Sequence, residues 1–149
     1  MRTFLPLTLM LALALAVAGC SSDSTDSGAA DDGATTELAG VEWEWQVTNM
    51  MDDSQVTPDD PTMYTAMFND DLTVNVKADC NSGSGGYETD GSSLSIGPLA
   101  VTMAMCPPES KSDDFLRQLQ SAASYIIEEG TLHIAMAVDS GIMELTPVE

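Results

Sequence analysis

The segment Val41-Glu42-Trp43-Glu44-Trp45-Gln46-Val47 alternates strictly between apolar and polar residues. A period of two is typical of a β-strand that buries one face. The buried face is predicted to carry Val41, Trp43, Trp45 and Val47, with the charged and amide side chains on the other face. We therefore interpret the segment as a half-buried strand.

Short apolar segments continue along the chain, and turn-forming residues separate them. Further strands are predicted at residues 63–68, 72–78, 93–96, 125–127, 131–138 and 142–147, and residues 99–105 form another apolar segment. Turns are expected at residues 69–71, 90–91, 128–130 and 139–141, and the glycine-rich residues 82–86 are also interpreted as a turn. Turn signals at such short intervals predict a small antiparallel sheet or barrel.

One segment has a helical pattern instead. Ser112 is a favourable N-cap, and Asp113 and Asp114 place negative charge in the first turn, where the helix dipole favours it. Phe115 and Leu119 follow at helical spacing. One α-helix is therefore predicted at about residues 113–122, and the predicted fold class is α+β with mainly antiparallel β-structure.

The composition excludes some classes of partner. The chain of 149 residues has 24 Asp and Glu against 4 Lys and Arg, a formal net charge of −20. Phosphate binding needs clustered Lys and Arg, so we expect no nucleic-acid partner and no electrostatic binding to anionic lipid. Paired aspartates, such as those at residues 52–60, suggest a weak calcium site. Their spacing is not that of an EF-hand, and we interpret them as a solvated acidic surface.

The N-terminus has the pattern of a secretory signal. Arg2 precedes an apolar run at residues 4–18, which is shorter than the roughly 20 residues that a transmembrane helix needs. The run ends in Val17-Ala18-Gly19-Cys20, which resembles a bacterial lipobox. The resemblance implies a lipoprotein: the signal peptide, residues 1–19, is removed, and Cys20 is acylated, with palmitate as one of the chains. An ordinary secretory signal with an incidental cysteine is the alternative.

The segment after Cys20 is interpreted as a spacer. Residues 21–36 contain no side chain larger than Thr or Asp, which is typical of a flexible acidic linker. The domains are therefore predicted as the signal peptide at 1–19, the lipidated cysteine and linker at 20–36, and one folded domain at 37–149. We expect the lipid to hold the protein in the bacterial cell envelope, and residue 21 is Ser rather than the Asp that is linked to retention in the inner membrane. In a host with two membranes, it would be on the outer membrane, facing the periplasm.

Cys80 and Cys106 remain once Cys20 is assigned to lipid. Disulfides persist outside the cytoplasm, so a Cys80–Cys106 bridge is predicted, and two buried free thiols are the alternative. One histidine and no Cys-x-x-Cys pattern supply no set of four ligands, so no metal and no cofactor are expected. His133 lies in mid-strand with no evident Asp or Asn partner, and we therefore expect no catalytic residues and no enzyme.

Ten methionines leave two interpretations open. Met103 and Met105 flank Ala104 next to Cys106, and a soft copper site of Met and Cys would use such a group. The interpretation that we favour is that the flexible thioethers fill gaps in the core.

A set of residues in order along the chain forms a recognisable pattern: Leu38, Gly40, Trp43, Phe68, Cys80, Asn81, Gly85, Tyr87, Thr102 and Cys106. The pattern resembles the META domain family, which includes the HslJ heat-shock proteins and many bacterial envelope lipoproteins. In one departure, Asp79 stands where the family usually has Gly. If that position needs a positive φ, Asp is among the residues that tolerate it.

The resemblance implies a small, partly open barrel and structural roles for the motif residues. Asn81 and Gly85 would fix a turn, Trp43 and Tyr87 would fill the core, and Cys80 and Cys106 would staple it. The family has no established catalytic activity. We therefore expect a non-enzymatic, monomeric, lipid-anchored protein that acts in stress-related binding or scaffolding, with another envelope protein as its partner. The alternative is a protein that binds a small hydrophobic ligand, a lipid or a drug, inside the barrel.

Overall fold

β-Strands form most of the computed structural model, which describes residues 37–149. The strands are β1 (Glu42–Met50), β2 (Gln55–Val56), β3 (Tyr64–Phe68), β4 (Thr73–Ala78), β5 (Asn81–Asp90), β6 (Ser93–Ile96), β7 (Ala100–Val101), β8 (Ala122–Glu128), β9 (Thr131–Met136) and β10 (Gly141–Pro147). The α-helix, α1, spans Ser112–Gln120, and short 3-10 helices lie at Pro61–Met63 and Ala137–Asp139. The predicted signal peptide, the lipidation at Cys20 and the linker lie outside the described residues.

Eight of the strands close into an antiparallel barrel. Their order is β1-β3-β4-β5-β6-β8-β9-β10, and β10 pairs back onto β1. This seam runs from the Trp43–Pro147 pair to the Met50–Gly141 pair. The predicted α+β class with mainly antiparallel strands is confirmed. The prediction of a partly open barrel is wrong, because β10 pairs along nearly the whole length of β1.

A β-bulge changes the buried face of β1. The register with β10 shifts between Trp45 and Val47. An extra residue in one strand reverses the alternation beyond it, so Thr48 is fully buried and Val47 only half-buried. The predicted alternation therefore holds for Trp43 and Trp45 and fails from Val47 onward.

Aromatic side chains fill the barrel interior. Trp43, Trp45, Phe68 and Phe115 are all fully buried. Trp45 stacks on Phe115 with ring centroids 5.3 Å apart, and Tyr64 packs edge-on against both rings. Because Phe115 belongs to α1, the helix contributes to the same core as β1 and β3.

Helix α1 differs from its prediction at both ends. It begins at Ser112, and that side chain is buried rather than serving as the N-cap. Asp113 and Asp114 occupy the first turn as predicted. The helix ends at Gln120, because the amide of Ser121 turns back to the last carbonyls and Ala122 begins β8. Among residues 37–149, no helix has the length and apolarity needed to cross a membrane.

Candidate functional site: the clamped segment at residues 99–106

Residues 99–106 run alongside the first half of β5 and are called the clamped segment below. Within it, the short strand β7 pairs Ala100 with Ser84 and Val101 with Gly83. The pairing continues one residue further, where the Thr102 amide donates to the Ser82 carbonyl at 2.9 Å. The Ser82 amide in turn donates to Thr102 Oγ1 at 3.0 Å. Backbone and side-chain bonds thus hold residues 100–102 of the segment against β5.

The side chain of Asn81 continues this pairing beyond the backbone. Its Oδ1 accepts hydrogen bonds from the Ala104 amide at 2.7 Å and from Thr102 Oγ1 at 3.0 Å. Its Nδ2 donates to the Ala104 carbonyl at 3.2 Å. The amide therefore satisfies both backbone groups of Ala104, as a neighbouring strand would. Asn81 is the first residue of β5, so its expected place in a turn is wrong.

A disulfide holds the far end of the segment. Cys80 and Cys106 are bonded, with their Cα atoms 5.4 Å apart. The bridge ties the end of the clamped segment to the start of β5. Asp79, which comes directly before Cys80 in the chain, has a φ of +55°. It thus has the positive φ that we considered for this position, and Asp is one of the residues that adopt it at modest cost.

Glycines in β5 allow the segment to approach closely. A Cβ atom on Gly85 would lie 2.7 Å from the Pro98 carbonyl oxygen, and one on Gly83 would lie 2.6 Å from that of Ala100. Both distances are too short for real atoms. The interpretation of residues 82–86 as a turn, with Gly85 in it, is therefore wrong: these glycines are strand residues that leave room for the chain beside them.

Two methionines on the segment project into solvent. Met103 and Met105 are each 98% exposed, whereas Met136 and Met143 are buried. The favoured interpretation, that the methionines fill gaps in the core, therefore holds for Met136 and Met143 and is wrong for Met103 and Met105. Sequence reasoning missed this difference, because both pairs lie in apolar surroundings. The position of Met103 and Met105 in the sequence could have indicated their exposure, because they lie between a hydrogen-bonding Thr and a Cys-Pro-Pro turn.

An apolar groove lies beside the methionines. Its volume is about 560 Å³. The clamped segment lines it with Leu99 and all of residues 101–105, and helix α1 adds Asp113 and Leu116. Leu99 and Leu116 also pack against the core, so the groove floor is continuous with the barrel.

Two further motif residues, Trp43 and Tyr87, lie away from this site. Trp43 is buried and donates from Nε1 to the Leu38 carbonyl at 3.0 Å. Tyr87 is buried against Phe68, and its hydroxyl donates to the Asn69 carbonyl at 2.9 Å. Burial raises the pKa of the Tyr87 phenol, and the charge of Asp70 adds to the effect. The structure therefore gathers Cys80, Asn81, Gly85, Thr102 and Cys106 at one place and keeps Trp43 and Tyr87 in the core.

The paired aspartates bond to their own loops. Asp52 Oδ1 accepts from the Ser54 amide at 3.0 Å, and Asp60 Oδ1 accepts from the Thr62 amide at 3.1 Å. The hydrogen bonds from the Ser54 hydroxyl and amide hold the pKa of Asp52 below its ordinary value. Within the described range, no three His, Cys, Asp or Glu side chains form a group that could hold a metal ion.

The fold and the clamped segment define a class: a small, closed antiparallel barrel with one helix in its core and a disulfide at its edge. The model of the META domain family matches residues 36–145, and the chain belongs to this family. The resemblance found in the sequence is thereby confirmed. No curated protein matches the chain.

Solved structures share the fold at low sequence identity. A protein from Burkholderia xenovorans superposes with a TM-score of 0.64 at 14% identity, covering 74% of this chain and 83% of that one. A DUF4847-family protein from Bacteroides vulgatus superposes with a TM-score of 0.55, also at 14% identity, covering 73% of this chain and 93% of that one. At such identities the likeness concerns the fold alone.

Proposed function

We propose that this protein is a non-enzymatic, lipid-anchored envelope protein whose domain acts in stress-related binding or scaffolding. In this proposal it binds another envelope protein on its outer surface. The observation that carries the proposal is the contrast between a filled barrel and two methionines that are 98% exposed on an ordered segment.

The exposed pair supports a protein partner. Burial of a Met side chain contributes about 1.5–3 kcal/mol, so two of them left in solvent are available to a partner. Met is enriched in protein–protein interfaces and adapts to irregular surfaces. The disulfide and the Asn81 bonds hold the clamped segment in place before binding, which reduces the entropy lost on association.

The filled interior gives less support to a small ligand inside the barrel. A site for an acyl chain or drug has a typical volume of about 300–1,000 Å³. In the barrel, fully buried side chains take up that space; the largest are Trp43, Trp45, Phe68 and Phe115. A ligand there would have to displace several of them.

Native mass spectrometry tests the two functions against each other. The polypeptide of residues 21–149 is exported behind a cleavable signal that lacks Cys20, and it is purified without detergent. We expect a bare mass, lower than that of the reduced sequence by the two hydrogens lost from Cys80 and Cys106. A co-purifying mass of a few hundred daltons that is lost on denaturation would favour the small-ligand function instead.

Lipid labelling and signal processing test the anchor. Cys20→Ala in the full-length chain removes the proposed acylation site, so the variant should be absent from lipid-labelled protein and should lose signal processing. Ser21→Ala is the matched control and should leave both unchanged. Normal labelling and processing of Cys20→Ala would contradict the lipoprotein assignment.

A further inference from the structure

We propose that the clamped segment is an open sheet edge that binds an extended, apolar segment of a partner by strand addition, with Lys or Arg flanking that segment. The inference rests on the proposed protein-binding function. It adds the mode of binding and the chemistry of the partner.

The backbone of the segment is paired on one side. The amides of Thr102 and Ala104 point toward β5, to the Ser82 carbonyl and to Asn81 Oδ1. Alternate residues of an extended chain direct their N–H and C=O groups to opposite sides, so Met103 and Met105 direct theirs away from β5. Within residues 37–149, neither of these two amides donates a hydrogen bond. An unpaired edge of this kind is a template for another strand.

The side chains beside this edge form an apolar row. Leu99, Val101, Met103 and Met105 line the groove together with Leu116, and Thr102 and Ala104 line it as well. In strand addition, main-chain hydrogen bonds supply affinity and alternate side chains supply specificity. The row therefore selects a partner segment with apolar residues at every second position.

Carboxylates surround the end of the segment near Cys106. Asp113 lines the groove itself. A neighbouring cleft beside Pro107 is lined by four more acids, Asp59, Asp60, Asp79 and Glu109. Two bases lie near these five acids: Lys111 in the loop before α1, and Lys77, whose Nζ donates to the Thr62 carbonyl at 3.2 Å. This local excess of acid favours Lys or Arg on the partner, and the net charge of −20 disfavours a second copy of the chain.

A designed peptide supplies the probe. Its sequence, Lys-Lys-Val-Thr-Val-Thr-Val-Lys-Lys, has alternating apolar residues and basic flanks, and it is added to the polypeptide of residues 21–149. We expect hydrogen exchange of the Met103 and Met105 amides to slow by about tenfold or more at saturation. Two control peptides should not bind: one with N-methylated amides along both edges, and one with Glu in place of Lys.

Variants of the edge give the second measurement. Met103→Ser with Met105→Ser should weaken binding of the probe by about tenfold or more, and Met51→Ser, at a methionine that is 69% exposed elsewhere, should not. Met103→Pro removes one outward amide and no internal hydrogen bond, so it should block binding with the fold intact. Equal binding to the double Ser variant, chemical-shift changes confined to another surface, or no binding at about millimolar peptide would each overturn the inference.

Photo-crosslinking in cells separates this inference from the proposed function. A photoreactive residue is placed at position 105 or at position 126, where Ile126 is 49% exposed on the outside of β8. We expect a discrete protein adduct from position 105. An adduct from position 126 alone would overturn the open-edge inference and leave protein binding in place. No adduct from either position would contradict the proposed function itself.

Discussion

At the residue scale, Gly85 shows how the absence of a side chain positions the site. Gly85→Ala would bring a Cβ atom to 2.7 Å from the Pro98 carbonyl oxygen. Because a backbone atom must then move, we expect a loss of about 1–3 kcal/mol in the free energy of unfolding. Gly86→Ala is the matched control, since its Cβ would meet no atom closer than 3.9 Å. Urea unfolding measures the stability of both variants. Equal stabilities would show that the close approach at Gly85 does not affect the free energy of unfolding.

Asp71 offers a residue-scale test by pH. The hydroxyl and then the amide of Thr73 donate to its carboxylate and lower its pKa. A lowered pKa in the folded state adds stability at pH above the ordinary Asp pKa of about 3.9, and this stability is lost as the pH falls through the folded value. Thr73→Val removes the hydroxyl, so the pKa of Asp71 should rise toward its ordinary value.

A carboxyl NMR titration measures the effect of Thr73→Val. Asp52, which keeps its bonds from Ser54, is the internal control in the same spectra and should not change. An unchanged pKa at Asp71 in the variant would show that the hydroxyl does not stabilise the carboxylate.

At the scale of elements, a buried polar chain joins β1 to α1. Trp45 Nε1 donates to Thr48 Oγ1 at 2.9 Å, and Thr48 Oγ1 donates to Gln118 Oε1 at 2.6 Å. Gln118→Ala leaves the Thr48 hydroxyl without its acceptor, so it should cost about 1–3 kcal/mol in the free energy of unfolding. Gln120→Ala, exposed two residues later on the same helix, should change stability by less than about 0.5 kcal/mol. Similar losses of stability for both variants would contradict a stabilising role for these linked hydrogen bonds.

The disulfide links β5 to the clamped segment. It joins residues 26 positions apart, and loop entropy then predicts a contribution of about 3.5 kcal/mol. The variant with both Cys80→Ala and Cys106→Ala should lose about this much stability in urea, and its Met103 amide should exchange faster. Wild-type protein under reducing conditions is the control, because it opens the bridge without changing a side chain. A loss below about 1 kcal/mol would contradict the loop-entropy account.

Sequence reasoning recovered elements whose pattern is local. The alternation around Trp43 and Trp45 located β1, and the spacing of Phe115 and Leu119 located α1. The bulge after Trp45 was missed, because it depends on pairing with β10 rather than on neighbouring residues. Residues 82–86 were assigned to a turn because Gly usually serves there, and the close approach of the clamped segment has no local signal. The family resemblance, by contrast, placed Cys80, Asn81 and Thr102 in one motif before their contacts were known.

At the scale of the whole molecule, charge repulsion opposes folding. The chain has 24 acidic residues against 4 basic ones, and a net charge far from zero destabilises the compact state. Added salt screens such charges, so the melting temperature of the polypeptide of residues 21–149 should rise by several degrees from about 20 mM to about 0.5 M NaCl. KCl at equal ionic strength should give the same rise. A melting temperature that does not change with salt would show that the acidic side chains are too far apart to destabilise the fold.

The seam between β1 and β10 determines when the domain can fold. Its partners, from Trp43–Pro147 to Met50–Gly141, lie about a hundred positions apart in the chain, and contacts of this kind form late. A nascent chain therefore lacks the strand that closes the barrel until Gly141–Pro147 has left the ribosome. Until then the two tryptophans of β1 have no complete core to enter. The chain therefore remains unfolded, and an unfolded chain is thin enough to pass through a narrow channel.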